Sequence, residues 1–158
     1  MTMASILITH ATRPLGLRIA KYLEQQFVVE KCSSDEIPSV LQSAYSAVPV
    51  ATHPTFAHEM LKLALDKNCT YVLPLGQDEI RVLAEAAVLF EEYGVHLLCP
   101  LPQFLSEVNV LVDPASNIHL QVLFEKKDIV TGEEFEHATW NGLCLVSDSK
   151  DEFILAVV

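Results

Sequence analysis

Residues 5–9 (SILIT) form a short apolar run with no polar alternation, as expected of a strand covered on both faces. From Leu15 the period changes. Leu15, Ile19, Tyr22 and Leu23 recur at helical spacing, with Arg18, Lys21 and Glu24 between them. Phe27, Val28 and Val29 begin a second strand, which Ser33, Ser34 and Asp35 end with turn and cap chemistry. A short helix is expected near 37–44 and a short third strand over 47–51. Thr52 or His53 then caps a helix with Pro54 in its first turn; Phe56, Met60, Leu63 and Ala64 are its inner face, and Asn68 ends it. Residues 71–75 (YVLPL) are the fourth strand. Asp78 and Glu79 open a long helix whose stripe runs through Ile80, Leu83, Ala84, Ala87 and Phe90 or Glu91 to a stop at Gly94. Residues 95–99 are the fifth strand.

Strand and helix therefore alternate with short joins over 5–99. The fold class is α/β: a Rossmann-like three-layer sandwich whose mostly parallel sheet has the order 3-2-1-4-5. Beyond Pro100 the rhythm breaks. A short helix is expected near 102–108, and Asp113-Pro114 marks a turn. Over 118–125, Leu120, Val122 and Phe124 face one way, and His119, Gln121 and Glu125 the other. Strands near 134–140, 143–147 and 153–158 complete an antiparallel β meander, with Phe124, Phe135 and Trp140 in its core. The chain thus divides into residues 1–100, an α/β domain, and residues 101–158, a β-rich extension.

Composition sharpens this picture in two respects. Of 158 residues, 51% are apolar, enough for a sizeable core. The net charge is −11, with 3 basic and 10 acidic residues beyond position 100. Duplex nucleic acid and anionic membranes both select basic faces, so neither is an expected partner. No apolar run approaches the roughly 20 residues of a membrane span, and the N-terminal residues lack the basic start of a secretory signal. The cysteines Cys32, Cys69, Cys99 and Cys144 are widely spaced without a CxxC, which points to reduced, buried thiols and a cytoplasmic location. His53 and His58 fall on different helix faces, and His119 and His137 lack further ligands, so no metal site is expected.

In the order 3-2-1-4-5 the topological reversal lies between strands 1 and 4, where doubly wound sheets bind ligands. Two loops face each other there: Thr9, His10, Arg13 and Gly16 in "ITHATRPLG", and Gly76, Gln77, Asp78 and Glu79 in "PLGQDE". Both precede helix N-termini, whose free N–H groups attract anions. Arg13 offers a bidentate grip on phosphate or carboxylate. The acids could hold a cation, an amino group or a ribose hydroxyl. Two readings stand together: a binding crevice, or a tight turn in which Arg13 pairs with Asp78 or Glu79 and the acids only cap a helix.

"ILITHATRPLGLRIAKYL", "VVEKCSSDEIP" and "YVLPLGQDEIRVLAEAAVLFEEYGV" resemble the pre-ATP-grasp domain, the N-terminal Rossmann-like domain of ATP-grasp ligases such as the carbamoyl-phosphate-synthase-like enzymes. The resemblance covers about residues 4–100. It implies a domain that helps bind a carboxylate or amine substrate and supports the nucleotide-binding modules. That role falls on Thr9, His10, Arg13, Gly16, Gly76, Gln77, Asp78 and Glu79. Residues 101–158 depart from the family. Only Lys126, Lys127 and Lys150 are available to grip ATP, and the segment is too short for the catalytic modules. The expectation is a small-ligand-binding or accessory domain with no catalytic residues and no cofactor of its own. ATP or another nucleotide would enter only with a partner ATP-grasp chain, and the C-terminal strands could form a homodimer. The alternative is a degenerate NAD(P)-binding protein, since "ITHATRPLG" also resembles the TGxxxGxG loop of short-chain dehydrogenases at Thr9 and Gly16. There His10 and Pro14 replace the first two glycines, and none of Tyr22, Tyr45, Tyr71 and Tyr93 has the lysine four residues later that such enzymes use.

Overall fold

A computed structural model describes residues 3–158. The strands β1 (Ser5–Ile8), β2 (Val28–Ser33), β3 (Ser46–Ala47), β4 (Tyr71–Leu73) and β5 (His96–Leu97) form one parallel sheet in the order β3-β2-β1-β4-β5. The helices α1 (Pro14–Leu23), α2 (Phe56–Asp66), α3 (Gln77–Glu85) and α4 (Ala87–Glu92) cover it. Alternation along β1 sorts the two faces. Leu7 joins Val72, Leu97, Phe56, Met60, Ile80, Leu83 and Phe90 on the side of α2, α3 and α4. Ile6 and Ile8 join Leu73, Leu75, Leu15, Ile19 and Leu23 on the side of α1. Both faces of the sheet are therefore covered at β1 and β4, which is why those two strands read as continuous apolar runs.

A short helix, α5 (Pro102–Leu105), leads into a second five-stranded sheet. Its strands are β6 (Asn109–Val112), β7 (Gln121–Phe124), β8 (Lys127–Asp128), β9 (Gly142–Val146) and β10 (Phe153–Val157), in the order β6-β10-β9-β7-β8. All neighbours are antiparallel except β6 and β10, which run parallel. Leu120, Val122, Leu143 and Ala156 enter the α1-side cluster of the first sheet, and Leu155 and Val157 enter the opposite one. A backbone hydrogen bond from Val158 N–H to the Leu75 carbonyl (2.9 Å) ties the end of β10 to the loop after β4. Arg18 of α1 donates to the carbonyls of Ala115 and Ile118, and the Tyr22 hydroxyl reaches Asp128.

Several elements differ from the pattern-based expectation. The helix expected near 37–44 is one 3₁₀ turn, Ser39–Leu41, with no buried residue; without an apolar stripe to bury, so short a segment has little to sustain a helix. The helix expected to be capped at Thr52 or His53 starts at Phe56, with Thr55 at its cap and His53 Nδ1 accepting from the Thr55 N–H at 3.2 Å. Asn68 (φ 55°) and Gly94 (φ 76°) end their helices in left-handed conformations, as expected. The long helix is broken at Ala86 into α3 and α4. Residues 134–140 form turns with a single bridge, Lys127 to Glu134, instead of a strand. The strand β7 is buried on both faces, Leu123 packing with Phe135, Ala138 and Cys144, so its inside-outside alternation fails; Gln121 is buried as well. All four cysteines are buried and unpaired. Among the described residues no helix is long and apolar enough to cross a membrane.

Candidate functional site

The pairing of β1 with β4 places the two loops side by side. Thr9 continues β1, its N–H donating to the Leu73 carbonyl at 3.3 Å. Its buried hydroxyl accepts from the Leu75 N–H (2.8 Å) and donates to Glu79 Oε1 (2.5 Å). Glu79 Oε1 also accepts from the Gly76 N–H at 3.2 Å, so the third residue of α3 caps its own helix. One carboxylate oxygen thereby fastens both loops together. The other, Oε2, is buried without a hydrogen-bond partner in the protein, in a residue only 2% exposed.

His10 sits in the left-handed region at φ 47°, which turns the chain sharply out of β1. Its ring packs against Gly76, where an added Cβ would stand 2.6 Å from Nε2. The ring lies between two carboxylates: Nε2 is 3.5 Å from Glu79 Oε1, and Nδ1 is 3.7 Å from Asp35 Oδ2. Asp35 follows β2, its N–H donating to Ser33 Oγ at 3.0 Å. It receives Arg13 bidentately, Nε to Oδ2 at 2.8 Å and one terminal nitrogen to Oδ1 at 3.1 Å. Arg13 thus pairs with neither Asp78 nor Glu79. Asp78 is exposed and pairs with Arg81 at 3.3 Å.

These groups surround an open cleft of about 400 Å³ at the carboxyl ends of the strands. His10, Arg13, Gly76, Gln77, Asp78 and Glu79 line it, joined by Ser34, Asp35, Val50, Ala51 and Val158. Of the sequence-derived site residues, Thr9 stands behind the cleft and holds Glu79. Gly16 does not reach it: it lies inside α1, beneath the backbone of His10 and Ala11. Asp35 is the principal residue that the sequence reading left out of the site. Its signal in the sequence is its place at the carboxyl end of strand 2, next to strand 1 in the expected order, although "SSDE" by composition is ordinary turn chemistry. Val50 and Ala51 come from the irregular join before α2 and carry no signal of their own.

No protein-family model and no curated protein sequence matches this chain. What the cleft can do therefore rests on its own electrostatics. The Arg13 hydrogen bond lowers the Asp35 carboxyl below its usual range, so Asp35 stays ionised. Burial raises the Glu79 carboxyl, against the pull of His10, Thr9 and Gly76. The cleft thus combines a fixed ion pair, an imidazole, a buried carboxyl and the first-turn N–H groups of α3.

The raised Glu79 value has a direct consequence for stability. The folded chain binds this proton more tightly than the unfolded chain does. The resulting stabilisation is complete below the ordinary carboxyl range and is lost as pH rises through the raised folded value. Asp35 acts in the opposite sense, contributing above the ordinary range and losing its contribution as pH falls through its lowered value. Glu79→Gln keeps an acceptor for Thr9 and Gly76 but cannot ionise. It is expected to remove the part of the decline in stability above about pH 4.5 that Glu79 causes, read as urea midpoints across pH 4–8; an unchanged profile would exclude Glu79 as its source.

Proposed function

We propose that the chain is a small-ligand-binding or accessory domain of the pre-ATP-grasp kind, without catalysis of its own, working with a separate catalytic chain. The observation that carries this reading is the convergence of three strand ends on one cleft at the β1/β4 reversal, with Arg13 and the start of α3 facing it. Ligands in doubly wound folds collect where backbone N–H groups and side chains from different strands meet. The ligand class is a small anion or zwitterion: a carboxylate directed to Arg13 and the α3 N–H groups, an amino group to Asp35 or Asp78. The NAD(P) reading has less support. His10, with its ring on Gly76, occupies the place where a dinucleotide loop requires bare backbone.

The test is a calorimetric or thermal-shift screen of carboxylates, amino acids, ATP and NADPH. Arg13→Ala is expected to weaken the best carboxylate or amino-acid ligand about tenfold, the scale of one charge-assisted hydrogen bond. Its unfolding midpoint should be nearly unchanged, because an exposed ion pair contributes about 0–1 kcal/mol. Stabilisation by NADPH alone would overturn the reading.

A further inference from the structure

A second groove, about 310 Å³, lies between α3, α5 and β6. Ile80 and Leu155, both buried, lie at its floor, and the half-buried Leu105, Val108 and Val110 form its walls. Its polar rim includes Gln77, Arg81 and Glu85. Gln77, Ile80, Arg81 and Glu85 follow one another at helical spacing along one side of α3, the groove side. Gln77, at the start of this stripe, also lines the polar cleft. The polar site and the apolar groove therefore flank the same first turn of α3, and a molecule held by that turn can extend along the helix over Ile80.

Each space alone is at or near the small end of ligand pockets, which run from about 300 to 1,000 Å³ and combine an apolar lining with a few fixed polar groups. The cleft has the polar groups and the groove has the apolar lining. We propose that the two are one bipartite site for an amphipathic carboxylate, with its head at Arg13 and the α3 N-terminus and its aliphatic or aromatic tail in the groove. This rests on the cleft being the seat of an anionic head, as proposed above.

Straight-chain carboxylates from acetate to octanoate, titrated into the ¹⁵N-labelled chain, test the proposal. Burial of successive methylenes predicts an affinity gain of about three- to fourfold per carbon, with amide shifts at Gln77 and Asp78 and also at Val108–Val110. Ser106→Trp, a substitution at an exposed position beside α5, fills the groove and is expected to abolish the dependence on chain length. Val110→Thr, which keeps the shape of the wall, should reduce it. Arg13→Ala should weaken every member of the series by a similar factor. Equal affinity at all chain lengths, lost in Arg13→Ala, would overturn the groove and leave the cleft reading intact. A chain-length dependence that persists in Ser106→Trp and Val110→Thr would place the tail elsewhere and overturn the proposal. A dependence indifferent to Arg13→Ala would overturn the shared ligand, and no binding at any length would overturn the cleft reading and this proposal together.

Discussion

Asp128→Ala is expected to be among the most destabilising single substitutions in this chain, at about 3–5 kcal/mol. Asp128 is 1% exposed and accepts from the N–H groups of Val122 (3.1 Å), Val130 (2.8 Å) and Thr131 (2.9 Å) and from the Tyr22 hydroxyl (3.0 Å). The three backbone donors shape the β7–β8 hairpin, and the tyrosine belongs to α1. One carboxylate thus folds the hairpin and fixes it to the helix that covers the first sheet. Alanine leaves the buried Val122 N–H and three part-buried donors unpaired, at about 1–3 kcal/mol for a buried donor and less where water reaches Val130 and Thr131. At 2–4 °C per kcal/mol for a chain of this size, the melting temperature should fall by roughly 10 °C. Tyr22→Phe should cost about 1 kcal/mol, since the backbone donors remain. The same environment raises the Tyr22 hydroxyl above its usual range, through burial first and then the Asp128 charge. Urea unfolding of both variants provides the measurement, and a loss below 1 kcal/mol in Asp128→Ala would exclude the clamp.

Asp128 also shows where reading the sequence stops. It is one acid among a surplus, and no periodicity distinguishes a buried acceptor of several hydrogen bonds from a solvated charge. The first sheet was legible because its central strands are buried on both faces and its helices on one, so the change of period at Leu15 marks a real boundary. Its strand order followed from short crossovers of one hand. The second sheet was less legible. The strand β6 lies between the proline-started α5 and the Asp113-Pro114 turn and has only four residues, while 134–140 has strand composition but forms turns around Phe135 and Ala138. Its β6–β10 pairing is parallel and distant in sequence, so no local signal announces it. The site was legible as two loops. Its third contributor, Asp35, was not, because the bond between Arg13 and Asp35 depends on how far β2 extends past β1.

Gly16→Ala should be destabilising where intrinsic propensity predicts the reverse. Alanine in a helix interior is ordinarily favoured over glycine by about 1 kcal/mol. Here a Cβ would lie 2.3 Å from the His10 carbonyl oxygen and 2.7 Å from Ala11 Cα, both backbone atoms with little freedom to yield. The Arg13 N–H already binds that same carbonyl at 3.0 Å, so moving it disturbs the turn that presents Arg13. A net loss of about 2–4 kcal/mol is expected, together with weaker ligand binding in the cleft. Gly76→Ala provides the contrast. Its Cβ would meet the His10 ring at 2.6 Å, and a ring can rotate away. The fold should therefore tolerate it better, while His10 leaves its place beside Glu79. Urea midpoints, read with the amide shifts of the cleft residues, separate the two: Gly16→Ala moves both, Gly76→Ala mainly the shifts. A Gly16→Ala variant as stable as the parent would mean that the turn from His10 to Arg13 is free to adjust. The opposite result assigns the single glycine of "ITHATRPLG" to close packing of the loop on α1, one of the three duties that glycines divide in dinucleotide loops.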